Sequence, residues 1–280
     1  MRIKSILIIS LSFLLSACHY ADMGGMFITG ESINERFEQS LAYNDNHTPK
    51  EIKVSTDDYN ICSMGDSHIG GTHNFDLFQH LAKSMKTTAA VYVGDICNGN
   101  AENYDSLQKH MMNADSLTAF PIVGNHDLYF GGWKEFYSRF GSSTYYFSVK
   151  TPVASDLFIC IDTGSGTLGS KQLSWFKNVL QNIRPQFRRC IVFTHNNLYR
   201  VRRTASTNPN EEELTLLTDY FLRYKVDMTI AGHDHLKNIL KLGNTVHITM
   251  GALLDGFPSP DFLKITIKNG NLDYQFVDLY

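Results

Sequence analysis

The stretch Ile61-Cys62-Ser63-Met64-Gly65-Asp66-Ser67-His68 is an apolar run that stops at a glycine and continues at once with an acid and a histidine. The run has the length and composition of a buried β-strand, and the glycine lets the backbone turn tightly where that strand ends. Four more apolar runs are followed within two residues by a polar side chain: Asp95, Asn125, His195 and His233. In open α/β sheets, sites form at the carboxyl ends of strands, so we expect these side chains to converge.

Strand-like runs alternate with helix-like stretches along the chain. Strands are predicted at 59–64, 89–94, 120–123, 144–149, 157–162, 190–194, 226–231, 246–250, 262–267 and 274–278, and helices at 31–43, 74–86, 102–117, 133–140, 170–182 and 211–224. This alternation predicts an α/β protein whose sheets are covered by helices. The chain has 280 residues, 43% of them hydrophobic, which suffices for one large domain with a sizeable core.

The N-terminus is typical of an exported protein. A basic start, Met1-Arg2-Ile3-Lys4, precedes an apolar stretch at 6–15, which is shorter than the ~20 residues of a membrane-spanning helix. Leu15-Ser16-Ala17-Cys18 resembles a bacterial lipoprotein processing box, which implies cleavage before Cys18 and lipid attachment to its thiol. An ordinary signal peptide that happens to end near a cysteine is the alternative. Both interpretations place the mature protein outside the cytoplasm, on the periplasmic or surface side of the cell envelope.

These features predict three segments. Residues 1–17 form a lipoprotein signal peptide, residues 18–55 a tether with one amphipathic helix, and residues 56–280 a single folded domain. Export permits disulfides, but Cys62, Cys160 and Cys190 lie inside apolar runs and are expected to be buried free thiols.

The charge balance is uninformative about partners. Charged residues make up 19% of the chain and the net charge is -3, so there is no basic excess that would indicate nucleic-acid binding.

The polar residues at the strand ends form a recognisable donor set. Together with the turns Gly124-Asn125-His126-Asp127 and Gly232-His233-Asp234-His235, they supply imidazoles, carboxylates and one carboxamide that can converge on a pair of metal ions. Two cations that clamp the attacking and leaving oxygens are the basis of binuclear phosphate-ester hydrolysis. A lone histidine is more often a residue of the core or the surface, but an ordered set at strand ends is not explained in that way.

These residues resemble the calcineurin-like metallophosphoesterase superfamily. Its signature of D-x-H, GD, GNH-D/E, H and GH-x-H occurs here in order, at Asp66-x-His68, Gly94-Asp95, Gly124-Asn125-His126-Asp127, His195 and Gly232-His233-x-His235. The resemblance covers roughly residues 57–252. It implies a layered β-sandwich of two mixed sheets flanked by helices.

The resemblance also implies a role for each residue of the site. One metal is expected on Asp66, His68, Asp95 and His235, and the other on Asp95, Asn125, His195 and His233, so that Asp95 bridges the two. The ions are expected to be two divalent or mixed-valence transition metals, and these donors do not choose sharply between Mn, Fe and Zn.

The implied reaction is hydrolysis of a small-molecule phosphate monoester or diester by a metal-bridging hydroxide. His126 is expected to bind no metal and to assist the leaving group, while Asp127 orients its ring. The alternative is a non-catalytic lipoprotein of this fold that binds a protein or a ligand.

Some residues near the motifs are left open by the sequence. Asn98 stands where the purple acid phosphatase branch has tyrosine, and it is either a pocket residue or part of a turn. Cys97 either approaches the metals or, as we favour, packs as a small side chain. Arg200, Arg202 and Arg203 follow His195, and they either bind an anionic group of the substrate or lie on an exposed loop.

Overall fold

The computed structural model describes residues 30–47, 50–200, 208 and 210–280. The predicted signal peptide, Cys18, Arg202 and Arg203 lie outside the described residues. The helices are α1 (Ile33–Asp45), α2 (His73–Ser84), α3 (Ala101–His110), α4 (Gly132–Phe140), α5 (Gly169–Asn178) and α6 (Glu211–Arg223). Short 3-10 turns occupy His126–Gly131 and Arg184–Gln186, and a π-helical turn, Val179–Ile183, extends α5.

The strands build two mixed sheets. They are β1 (Glu51–Lys53), β2 (Tyr59–Met64), β3 (Ala89–Val93), β4 (Ala119–Ile122), β5 (Tyr145–Lys150), β6 (Ser155–Ile161), β7 (Cys190–Thr194), β8 (Met228–Ala231), β9 (Asn238–Leu242), β10 (Thr245–Thr249), β11 (Asp261–Lys268) and β12 (Asn271–Asp278). One sheet has the order β1-β5-β6-β7-β8-β10-β9 and the other β12-β11-β2-β3-β4. Strands β2, β3 and β4 are mutually parallel, as are β6, β7, β8 and β10.

The two sheets pack face to face, and helices cover both outer faces. Because side chains alternate along a strand, Ile61 points into the core between the sheets, whereas Cys62 points outward to the helices. Phe78 of α2 covers the five-stranded sheet, and Phe221 of α6 covers the other. The predicted fold class, a layered β-sandwich of two mixed sheets flanked by helices, is confirmed.

The secondary structure differs from the prediction in three places. Strands β1 and β9 were not predicted, because they are edge strands whose side chains are mostly exposed and lack a long apolar run. Helix α3 ends at His110 rather than at 117, since Met111 adopts an extended conformation. The side chain of Asn113 then accepts a hydrogen bond from the backbone of Ser116, which favours a turn over a helix.

The N-terminal helix α1 is docked on the sandwich. It begins with a capping box, in which the Ser32 side chain binds the Glu35 backbone and the Glu35 side chain binds the Ser32 backbone. The helix packs against α5 and buries Arg36. The predicted boundary between tether and domain at residue 56 stays a prediction.

The described cysteines are free and buried, which confirms the expectation for Cys62, Cys160 and Cys190. Within the described part of the chain, no helix has both the length and the apolarity that crossing a membrane requires.

Candidate metal centre

The predicted ligands lie on loops that leave the carboxyl ends of strands in both sheets. The five-stranded sheet contributes Asp66 and His68 after β2, Asp95 after β3 and Asn125 after β4. The seven-stranded sheet contributes His195 after β7 and both His233 and His235 after β8. The site therefore lies at one edge of the sandwich, where the two sheets meet.

Most of these ligands have a left-handed backbone. Positive φ angles are found at Asp66 (55°), His68 (41°), Asp95 (48°), His233 (72°) and His235 (56°). Side chains with a Cβ rarely adopt this conformation, and such strain is concentrated at functional sites. The sharp turns thus fall on the ligand residues themselves, which aims their side chains into the crevice.

The glycines of the motifs are required for two different reasons. Gly94 is left-handed, with a φ of 74°, as suits a tight turn. Gly124 and Gly232 do not have a positive φ. A Cβ on Gly124 would lie 2.2 Å from Asp95 Oδ1, and one on Gly232 would lie 2.4 Å from Asp66 Oδ2. These positions require glycine because a ligand carboxylate occupies the space of a side chain.

A first donor group consists of Asp66, His68 and His235. One ligand atom from each lies within 4.8 Å of the others. His235 Nε2 is 3.2 Å from Asp66 Oδ1. The backbone N–H of His233 donates to both carboxylate oxygens of Asp66, at 3.1 and 3.0 Å, which fixes the orientation of that carboxylate.

A second donor group consists of Asp95, His195 and His233, again within 4.8 Å. His195 Nε2 is 3.2 Å from Asp95 Oδ2 and 3.2 Å from Asn125 Oδ1. His233 Nδ1 is 3.2 Å from the same His195 nitrogen. The Nδ1 atom of His195 lies 2.9 Å from the carbonyl of Val93, and if Nδ1 carries the proton, Nε2 is left to accept a cation.

The Asp95 carboxylate lies between the two groups. Its Oδ2 atom is 3.2 Å from His195 Nε2 and 3.9 Å from His68 Nε2. The Nε2 atom of His68 is buried without a hydrogen-bond partner, as a nitrogen with an open coordination position would be. Two buried carboxylates, four imidazoles and a carboxamide oxygen are donors that suit Mn, Fe or Zn. The residues present therefore fit a binuclear metal centre.

The electrostatics of the protein alone also favour cations. Burial raises the pKa of Asp95, but His195, His126 and His68 oppose it and hold that pKa well below its usual range. Burial likewise opposes ionisation of Asp66, yet His235 lowers its pKa. Both carboxylates are thus anionic at neutral pH. Burial works to lower the pKa of His195, but Asp95 overrides it and raises the value to about 10.

His126 lies beside the metal centre. Its ring is 4.5 Å from the ring of His68, centroid to centroid, and 4.5 Å from the ring of Tyr129. Its backbone N–H donates to Asp95 Oδ1 at 2.7 Å. His126 also joins His68 and Asp95 in a third donor group, so its predicted role as a non-ligand stays a prediction.

Asp127 joins two loops of the site. Its buried carboxylate accepts backbone N–H groups of Cys97 at 2.7 Å, Gly124 at 2.8 Å and Ile96 at 3.3 Å. Its predicted role in orienting the His126 ring stays a prediction. Burial and the charge of Asp95 raise the pKa of Asp127 to about 7. Asp127 therefore fastens the turn that carries Asn125 and His126 to the loop that carries Asp95.

The structure distinguishes between the alternatives left open for neighbouring residues. Asn98 Oδ1 is 3.1 Å from His68 Nδ1, so this residue contacts a predicted ligand. The Cys97 thiol is buried among apolar side chains, and burial raises its pKa, as expected for a packing residue.

Arg200 is not on an exposed surface. Its guanidinium lies 2.8 Å from His233 Nε2 and 2.9 Å from Asp234 Oδ1, two contacts that no sequence pattern indicated.

Comparison with protein families identifies the class of protein. The family model for calcineurin-like phosphoesterases matches residues 59–237, and the chain belongs to this family. The matched region begins with β2 and ends just after the His233–His235 turn, so it contains every predicted ligand. No curated protein matches the chain by sequence at a significant level.

Solved structures share the fold at low sequence identity. A dimetal phosphatase from Danio rerio is similar with a TM-score of 0.61 and 14% identity, over 79% of this chain and 96% of that one. GAP50, the anchor in the inner membrane complex of Plasmodium, has a TM-score of 0.63 and 16% identity, over 79% and 85%. A Staphylococcus aureus protein named as a 5′-nucleotidase has a TM-score of 0.53 and 13% identity, over 79% and 54%.

Proposed function

We propose that this chain hydrolyses a small-molecule phosphate monoester or diester at a binuclear metal centre. The observation that carries the proposal is the convergence of two donor groups around the Asp95 carboxylate. Asp66, His68, Asp95 and His235 would hold one ion, and Asp95, Asn125, His195 and His233 the other. When bound, such a pair of cations supplies a water that is nucleophilic near neutral pH and a clamp for the phosphoryl oxygens.

The protein's own residues then have separable tasks. Asp66 and Asp95 supply buried negative charge, and the backbone N–H of His233 keeps the Asp66 carboxylate oriented. His126 donates its ring proton to the leaving alcohol oxygen as the bond from that oxygen to phosphorus breaks. Asp127 supports this step through the backbone, because it fixes the turn on which His126 lies.

The decisive variant is His126→Ala, tested with esters of different leaving groups. The variant should lower kcat by about 10²–10⁴-fold on an alkyl phosphate, and much less on nitrophenyl phosphate, whose leaving group needs no proton. Metal content should not change. His80→Ala is the matched control, because His80 is exposed on α2. Equal activity of the His126 variant and the wild type on the alkyl ester, with metals bound, would rule out the assigned role.

A non-catalytic role is the second candidate. It is favoured by the shared fold of GAP50, which is described as an anchor. The two candidate functions are distinguished by measuring turnover of a panel of monoesters, diesters, nucleotides and lipid phosphates. The protein is reconstituted with Mn²⁺, Fe²⁺ or Zn²⁺ for this measurement. Protein that binds the metals and turns over no member of the panel would support the binding role.

The cellular location forms part of the proposal. We infer that the protein is exported in a bacterium and held at a membrane of the cell envelope by lipid on Cys18. This inference rests on the basic start, the apolar stretch at 6–15 and the residues before Cys18. A Cys18→Ser variant, which should leave the membrane fraction, tests it.

A further inference from the structure

A charged side chain of the N-terminal helix is completely enclosed by the fold. Arg36 on α1 is 1% exposed, and its partner Asp162 is also 1% exposed. The guanidinium forms a fork with this carboxylate, with Nε 2.8 Å from Oδ2 and Nη2 3.2 Å from Oδ1. Nη2 also donates to Ser165 Oγ at 3.0 Å, and Nη1 to the carbonyl of Glu31 at 2.9 Å.

A buried ion pair of this kind is not explained by stability. Apolar residues of similar volume are often as stabilising or more so, since both charges lose their hydration. Such a pair does fix the geometry of its two residues, because the planar guanidinium binds a carboxylate in one preferred orientation. The question is which part of the molecule this geometry fixes.

Asp162 directly follows β6, at the edge of the sheet where the ligands lie. Its carboxylate accepts the backbone N–H of Gly164 at 2.9 Å, and its own backbone N–H donates to Gln172 Oε1 at 2.9 Å. The loop is therefore tied down on both sides of Thr163.

Thr163 in turn holds both neighbours of a predicted metal ligand. Its hydroxyl is 2.8 Å from the hydroxyl of Thr194 and accepts the backbone N–H of Asn196 at 2.9 Å. The Asn196 side chain donates to the Thr163 carbonyl at 3.3 Å. His195 is the residue between Thr194 and Asn196, and its Nε2 atom belongs to the second donor group. A continuous series of buried contacts thus leads from α1 to His195.

We propose that Arg36 is a positioning residue of the metal centre, acting through Asp162 and Thr163 on His195. Docking of α1 then sets the affinity for the ion held by Asp95, Asn125, His195 and His233. Helix α1 precedes the matched region 59–237, so this contact adds an element outside the family signature to the site. The inference rests on the proposed function, because it assumes that these four residues bind a metal.

The test is to titrate the metal-stripped chain with Mn²⁺ and with Zn²⁺ and to measure metal binding by calorimetry. Arg36→Met should weaken one of two binding events by about 10–100-fold, the usual effect of losing a residue that orients a ligand. The other event, assigned to Asp66, His68 and His235, should keep its affinity. Arg36→Lys, which retains the charge without the fork, should fall between the wild type and Arg36→Met.

A matched control uses a second ion pair of α1, which lies at the surface. Lys171 on α5 and Glu38 on α1 pair at the surface, where they are 50% and 55% exposed. Lys171→Met should leave both binding events unchanged, although it also removes a contact of α1.

Thr163→Val keeps the test decisive if Arg36→Met does not fold. This variant leaves α1 and its ion pair intact, and should weaken the same binding event selectively. Wild-type affinities at both sites in Thr163→Val and in Arg36→Lys would overturn the proposal and leave the proposed function standing. Wild-type protein that binds neither ion would overturn the proposed function itself.

Discussion

Individual side chains in this site are set by contacts that the motif does not contain. His68 was predicted as a ligand, and Asn98 was left open between a pocket residue and a turn. The Oδ1 atom of Asn98 lies 3.1 Å from His68 Nδ1, and His68 Nε2 faces Asp95 at 3.9 Å. An acceptor at Nδ1 keeps the proton on that nitrogen and leaves the lone pair of Nε2 free for a metal.

We therefore expect Asn98→Ala to weaken metal binding. The loss should be about 10–100-fold in affinity at the site that contains His68, because the ring loses the partner that fixes its tautomer. Asn98→Asp is the matched variant, since it retains an acceptor of nearly the same shape and should keep the affinity. Calorimetric titration of metal-stripped protein provides the measurement. Equal losses in both variants would mean that Asn98 acts through the turn and not through its oxygen.

Sequence reasoning succeeded at this scale where residue type alone decides the chemistry. Asp66, His68, Asp95, Asn125, His195, His233 and His235 were all placed at strand ends, and the structure brings their side chains together. The sequence did not indicate that Asp127 would bind backbone N–H groups, or that the Arg200 side chain would be buried against His233. Those contacts depend on how separate loops meet, which no local pattern encodes.

At the scale of elements, the buried strands were predictable and the edges were not. Strands β3 and β7 are buried on both faces, so their sequences are apolar apart from Thr194 at the end of β7. Strand β9 is partly exposed and gives no such signal. The turn after β2 was anticipated from Gly65, but the left-handed backbone in this region falls largely on the ligands.

Gly94 offers a test of how tightly two strand ends are packed. Gly94 and Gly131 have nearly equal φ angles, 74° and 73°, so an alanine at either position has the same backbone strain, about 1–2 kcal/mol. A Cβ at Gly131 meets nothing within 4 Å, whereas one at Gly94 would lie 2.6 Å from the His195 ring and 2.7 Å from the Gly124 nitrogen. Gly94→Ala should thus lower the free energy of unfolding by clearly more than Gly131→Ala, and should also reduce metal content.

Urea unfolding at equal metal concentration measures this difference. Elemental analysis of the same samples reports the metal. If both alanine variants lower the free energy of unfolding by the same amount and both proteins retain their metal, the strand ends after β3 and β7 are less closely packed than the structure shows.

At the scale of the molecule, the first and second donor groups each draw on both sheets. Asp66 and His68 belong to the five-stranded sheet and His235 to the other, while Asp95 meets His195 and His233 across the same junction. Bound ions would therefore join the sheets at one edge of the sandwich. At the opposite end, Arg188 joins them through Asp57, just ahead of β2, and Asp156, near the start of β6.

The whole chain also carries a prediction about where this site operates. Lipid on Cys18 would hold the protein at a membrane, while the ligands all lie between residues 66 and 235 of the folded part. Cys18→Ser should therefore move the protein from the membrane fraction to the soluble fraction without changing kcat, because no residue of the site is altered. Cys62→Ser is the matched control, since Cys62 is buried in the sandwich and should leave the protein with the membrane. Mass spectrometry should find acyl chains on the wild type and none on Cys18→Ser. A Cys18→Ser protein that stays with washed membranes, or a wild type without acyl mass, would contradict the anchor and leave an ordinary signal peptide as the explanation of the N-terminus.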